Sequence, residues 1–62
     1  MTYTTIETKT QENIYTVTLN RPEVRNAFNR TMIHELTHCF EHIPNKTLAI
    51  ILKGNGKIFC AG

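Results

Sequence analysis

Leu48 to Leu52 is an unbroken apolar run, Leu-Ala-Ile-Ile-Leu, followed by Lys53 and Gly54. A strand with no polar alternation is suited to burial on both faces, as in a parallel sheet with helices on either side. This constrains the chain more than any other feature, because its 62 residues offer little to do the covering. A chain of this size buries only about 60% of its unfolded surface and is marginal without a metal, disulfides or partners.

The residues before that run supply one covering layer. Ile14 to Leu19 alternates cleanly, with Tyr15, Val17 and Leu19 on one face and Ile14, Thr16 and Thr18 on the other. Thr4 to Lys9 alternates loosely and is rich in Thr. The polar Gln11-Glu12-Asn13 between the two segments predicts an antiparallel hairpin. Asn20-Arg21-Pro22-Glu23 ends the second strand, because Pro donates no ladder hydrogen bond and restricts the residue before it. Asn29 is a candidate N-cap. From Arg30 to Ile43 the pattern is helical: at about 100° per residue, Met32, Ile33, Leu36, Cys39, Phe40 and Ile43 share one side. Pro44 stops the helix. Strand, helix and strand then form a βαβ unit with an expected right-handed crossover. Gly54-Asn55-Gly56 predicts a tight turn into a short last strand at Ile58 to Cys60. The expected order is β-β-α-β-β, an α/β arrangement. One helix leaves the second face of Leu48 to Leu52 bare, so residues 1–62 read as a single truncated portion of a larger α/β domain.

Composition excludes several classes. With 40% hydrophobic and 19% charged residues the chain is an ordinary globular one, not disordered. A net charge of +2 is too small to imply nucleic acid. No apolar run approaches the roughly 20 residues that span a bilayer, so no membrane partner is expected. Met1 to Glu7 has neither the basic start nor the apolar core of a secretory signal. A cytoplasmic location follows as the expectation, with Cys39 and Cys60 as free thiols.

Three constellations could carry chemistry. His34-Glu35-Leu36-Thr37-His38 matches H-E-x-x-H, which on a helix sets two imidazoles to grip zinc beside a Glu base. A small zinc-binding or zincin-like peptide is therefore an alternative reading. Against it, His34, His38 and His42 form a stripe opposite the apolar side. Beyond Ile43 there is no His, Asp or Glu to act as third ligand. His42 stands about 12 Å along the axis from His34. A solvated helix face is the preferred reading, and no metal site is expected. The second constellation, Arg21 to Arg30, joins a strand end to a helix N-terminus. Its guanidiniums at Arg21, Arg25 and Arg30 lie close to free helical N–H groups, a setting suited to phosphate, and Ala27 is small enough for a ligand to pass over. The third, Gly54-Asn55-Gly56-Lys57-Ile58-Phe59-Cys60-Ala61-Gly62, is neither a Walker loop nor G-x-G-x-x-G. Its Cys60 has no identifiable basic partner and reads as a packed thiol.

Taken together, these segments resemble the enoyl-CoA hydratase/isomerase (crotonase) superfamily. The resemblance runs from Ile14 onward, through L-N-R-P-x-x-R-N-A-F at Leu19 to Phe28, the helix with Met32-Ile33-His34-Glu35-Leu36 and Phe40, and F-C-A-G at Phe59 to Gly62. It implies a spiral of ββα units assembled as trimers or hexamers. It also implies acyl-CoA substrates of fatty acid metabolism, hydrated or isomerised through a thioester enolate. Two backbone N–H groups of an oxyanion hole stabilise that enolate. Coenzyme A enters as part of the substrate, and no other cofactor is implied. Carried over residue by residue, Arg25 matches a residue that in some members contacts the CoA phosphates. Ala27 flanks the CoA, and Ala61 and Gly62 belong to the loop passing adenine and pantetheine. The first oxyanion donor would be the residue after Gly62. Glu23, Glu35 and Glu41 do not occupy the family's catalytic positions, so no catalytic residue is assigned. The resemblance thus implies an N-terminal portion of such an enzyme, inactive alone. A further alternative is a non-catalytic module that docks on an intact family member through its bare sheet face.

Overall fold

The computed structural model describes residues 2–62. It contains β1 (Ile6–Gln11), β2 (Ile14–Leu19), one 3₁₀ turn at Pro22–Val24, α1 (Arg30–Glu41) and β3 (Ala49–Gly54). β1 and β2 form the expected antiparallel hairpin, with Gln11 opposite Ile14. Glu12 and Asn13 make its two-residue turn with φ of 53° and 66°. Two positive φ values match the right-handed twist of the flanking strands. β2 then pairs in parallel with β3, from Ile14 opposite Ala49 to Leu19 opposite Gly54. α1 makes the connection, as the βαβ reading requires.

The core lies between α1 and the hairpin. Ile6, Tyr15, Val17 and Leu19 from the sheet meet Met32 and Cys39 from the helix, all buried, with Tyr3, Leu36, Ile43 and Cys60 around them. The Asn29 side chain accepts from the Met32 N–H at 2.8 Å, confirming the N-cap.

Three expectations are corrected. The buried helical stripe is Met32, Glu35 and Cys39, whereas Ile33 and Phe40 are 54% and 41% exposed. The helix is turned so that a carboxylate faces inward, because the segment before β1 satisfies it completely. β3 is the second correction. Its register puts Ile50 and Leu52 on the same face as Tyr15 and Val17, and Ile51 beside Thr16. Yet all three β3 side chains stay nearly half exposed. α1 packs toward β1, which leaves both faces of β3 only partly covered.

The last strand is the third. Residues 55–62 form no strand. Phe59 instead folds back over Gly54, where a side-chain carbon would lie 2.5 Å from the Phe59 carbonyl oxygen. Only glycine permits that approach. Side-chain hydrogen bonds from the loop after β2 then hold carbonyls that a ladder would otherwise use.

Candidate functional site

The loop after β2 takes its shape from Pro22, which fixes φ for the 3₁₀ turn, and from two residues in the left-handed region. Arg25 and Asn26 have φ of 55° and 57°, a conformation that Asn tolerates better than most residues. Asn26 is fully buried, and every polar atom of its side chain is used. Its Oδ1 accepts from the Arg21 N–H at 2.8 Å. Its Nδ2 donates to the carbonyls of Asn55 at 2.8 Å and Ile58 at 2.9 Å. One amide therefore fastens the loop after β2 to the loop after β3.

The fastening continues along both backbones. The Ala61 N–H donates to the Arg25 carbonyl at 3.0 Å, and the Phe28 N–H donates to the Gly62 carbonyl at 2.8 Å. The Cys60 thiol donates to the Asn26 carbonyl at 3.3 Å. The Asn55 side chain donates to Asn20 Oδ1 at 2.8 Å. Arg25, Ala27, Ala61 and Gly62, which the sequence groups only by resemblance, thus lie on two loops laced side by side.

A cleft of about 450 Å³ opens where these loops meet, lined by Pro22, Arg25, Asn55, Lys57 and Ile58. Arg25 and Lys57 are both exposed and give it two positive charges on an otherwise apolar and amide surface. The lining includes no carboxylate, imidazole or thiol, so the cleft is equipped to bind an anion rather than to move protons. The three guanidiniums expected to converge do not. Arg21 is half-buried and donates to the Ala27 carbonyl, bracing the loop, while Arg25 alone of the three lines the cleft.

Two residues central to this arrangement escaped the sequence reading. Asn26 was read only as part of an R-N-A motif, although its place between Arg25 and Ala27 in a strand-to-helix connector signals a left-handed turn. Lys57 stands in the sequence only as one residue of the Gly54 to Gly62 stretch, with no role of its own. Only the fold-back over Gly54 brings it to Arg25.

The H-E-x-x-H residues separate. Glu35 points into the protein and is 3% exposed. Its carboxylate accepts from the Thr5 N–H at 2.8 Å and the Thr5 hydroxyl at 2.7 Å. It also accepts from the Thr4 N–H at 3.0 Å and the Thr4 hydroxyl at 3.1 Å. Burial alone would raise its pKa, but the bonds from Thr5 and Thr4 outweigh burial and hold it below the ordinary value. A carboxylate so engaged is not free to serve as a base for a metal-bound water. His34 is exposed. His38 is half-buried, its Nδ1 2.7 Å from the Tyr3 hydroxyl. Among the described residues no group of three or more His, Cys, Asp or Glu could hold a metal ion. Cys39 and Cys60 are free thiols, and no described helix is long and apolar enough to cross a membrane.

The family model described as enoyl-CoA hydratase/isomerase matches residues 9–62. The chain is 44% identical over its full length to a protein of Rhodobacter capsulatus named as a probable enoyl-CoA hydratase, of which it covers 24%. Across 89% of its length it is 42% identical to the mitochondrial Delta(3,5)-Delta(2,4)-dienoyl-CoA isomerase of Mus musculus, of which it covers 17%. The solved structure of an enoyl-CoA hydratase/isomerase from Mycobacterium paratuberculosis superposes with a TM-score of 0.93 at 30% identity, over 98% of this chain and 25% of that one. The chain therefore spans a quarter or less of each of these three proteins. Its sheet, helix and laced loops have the α/β arrangement of the crotonase fold. By sequence match and by fold, the chain belongs to the enoyl-CoA hydratase/isomerase family.

Proposed function

We propose that residues 1–62 are the N-terminal portion of a crotonase-type domain and form the coenzyme A edge of an acyl-CoA site. The observation that carries this reading is the cleft between the laced loops, with Arg25 and Lys57 on its rim and no acid–base group in its lining. Arg25 supplies a planar donor fork for phosphate oxygens and Lys57 a mobile point charge. Ala27, Ala61 and Gly62 present backbone that an adenine or pantetheine chain can cross without meeting a large side chain. Small residues at these positions permit that approach, and Asn26 holds both loops in place.

The parent reaction in this reading is hydration or isomerisation of an unsaturated acyl-CoA through an enolate held by two backbone N–H donors. Losing one such donor costs about 2.7–4 kcal/mol in a well-studied case. These 62 residues hold neither a catalytic carboxylate pair nor a completed pair of donors, so they bind rather than turn over. Oligomers of the parent, trimers or pairs of trimers, belong to the same reading. So does a reducing cytoplasmic setting, consistent with the unpaired Cys39 and Cys60. Crotonyl-CoA turnover by the purified chain at the level of the uncatalysed reaction is the expected result. Turnover above it that disappears on changing Glu23 or Glu41 would contradict the proposal.

A further inference from the structure

We propose that Asn55 is a modification site: attack by the Gly56 nitrogen removes its side-chain amide and leaves aspartate or isoaspartate at position 55, inside the loop cleft. Of the six asparagines in the chain, only Asn55 precedes a glycine. A glycine nitrogen has no neighbouring Cβ to hinder its approach to the side-chain carbonyl carbon, and asparagine is among the thermolabile residues.

The fold keeps this pair reactive. Asn55 and Gly56 are both exposed. Gly56 has a φ of 96°, and a side-chain carbon there would lie 3.2 Å from Pro22 Cβ. The turn therefore requires the residue that also leaves the nitrogen unhindered. Among the described residues the Gly56 N–H donates to no backbone carbonyl, so its proton is open to base. Asn26 is the opposite case: it is fully buried, its amide is bonded on both sides, and Ala27 follows it. One contact restrains Asn55. Its Nδ2 donates to Asn20 Oδ1 at 2.8 Å, and this bond must break before the amide can turn toward Gly56.

The step uses only water and hydroxide. Base removes the Gly56 N–H proton, and the nitrogen bonds to Asn55 Cγ, closing a succinimide ring. The Cγ–Nδ2 bond breaks, and the nitrogen takes up a proton and leaves as ammonia. Water then opens the ring at either carbonyl, giving aspartate or isoaspartate. The cleft lined by Pro22, Arg25, Asn55, Lys57 and Ile58 thereby gains its first carboxylate, beside two cations. The donor to Asn20 is lost as well. Weaker binding of coenzyme A follows, a consequence that rests on the reading of the cleft given above; the modification itself does not.

Peptide mapping by mass spectrometry, after incubation of the 62-residue chain at mildly alkaline pH, tests the site without any variant. Asn55 should convert before any other asparagine, with isoaspartate among the products. Asn20→Ala should speed the conversion about fivefold, as expected for loss of one hydrogen bond. Asn55→Asp should weaken coenzyme A binding about tenfold through its added charge, with an unchanged helical circular dichroism signal. Earlier conversion of another asparagine, or an intact Asn55 over the time in which the urea-unfolded chain converts, would overturn the site. An unchanged rate in Asn20→Ala would overturn the restraint. Unchanged coenzyme A binding in Asn55→Asp would overturn the consequence. A native chain that binds no coenzyme A would contradict the cleft reading and the consequence with it, while the peptide map still decides the modification.

Discussion

The carbonyl of Arg25 accepts a hydrogen bond from the N–H of Ala61 at 3.0 Å, joining the loop after β2 to the loop after β3. The resemblance groups both residues, and this contact sets their backbones side by side. Left-handed backbone at Arg25 and Asn26 turns the first loop toward the second. The buried Asn26 amide then holds them together.

Asn26→Ala removes that amide and leaves the Arg21 N–H and the carbonyls of Asn55 and Ile58 without it. Each unsatisfied buried group costs about 1–3 kcal/mol. Ala also loses the tolerance of Asn for positive φ. The chain should lose at least about 2 kcal/mol of unfolding free energy in urea, a large fraction for a domain of this size. Asn26→Asp keeps the acceptor for Arg21 but turns an oxygen toward two carbonyls. It should be worse than Ala at neutral pH and partly recover as the carboxylate is protonated.

Gly54→Ala tests the fold-back. The new methyl would sit 2.5 Å from the Phe59 carbonyl oxygen and 2.8 Å from its Cα, and backbone cannot yield as a flexible side chain does. Residues 55–62 should detach while the hairpin and α1 remain. Proteolysis after Lys57 should speed up markedly, with little change in the helical circular dichroism signal. Unchanged cleavage would show that the loop does not depend on glycine here.

Acid should destabilise the chain through Glu35. Its pKa in the folded protein is depressed: burial opposes ionisation, but the donors of Thr5 and Thr4 more than compensate. The stabilisation is therefore fully present above the unfolded-state pKa of about 4.3 and is lost as pH falls through the folded value. Unfolding free energy measured from pH 6 to pH 2 should decline in the native chain. Glu35→Gln should be less stable at neutral pH and should flatten that decline.

A separate limb near neutrality belongs to His38. Partial burial, then the charge of His42, lower its pKa when folded. The unfolded chain therefore binds the proton more readily. Stability is present above the unfolded value of about 6.5 and falls as acid takes the pH down through the folded one. His42→Ala should move the His38 titration upward, as followed by its ring proton resonances.

Much of the fold was legible because its signals are local. The alternation from Ile14 to Leu19, the Asn29 cap and the helical period to Ile43 each depend on neighbours in sequence, and each element formed. The hairpin turn was legible as polar residues, although its type was not. What could not be read depended on distant partners. A helical wheel marks Glu35 as polar and turns it outward, yet the Thr4 and Thr5 donors that draw it inward lie before β1. Ile58 to Cys60 has strand composition, but the Asn26 amide and the bare Gly54 redirect it. Of the cleft, Arg25 was found through a motif. Lys57 was not, because only the folded-back loop brings it there.

The claim that Arg25, Lys57 and the backbone at Ala27, Ala61 and Gly62 form a coenzyme A edge is tested most directly by nuclear magnetic resonance titration of the ¹⁵N-labelled chain with coenzyme A. The account predicts amide shifts concentrated at Arg25, Ala27, Lys57, Ala61 and Gly62, weakened at least about tenfold in Arg25→Ala and reduced by salt as expected for phosphate contacts. Shifts centred on β1 or α1, or shifts unchanged by Arg25→Ala, would contradict it.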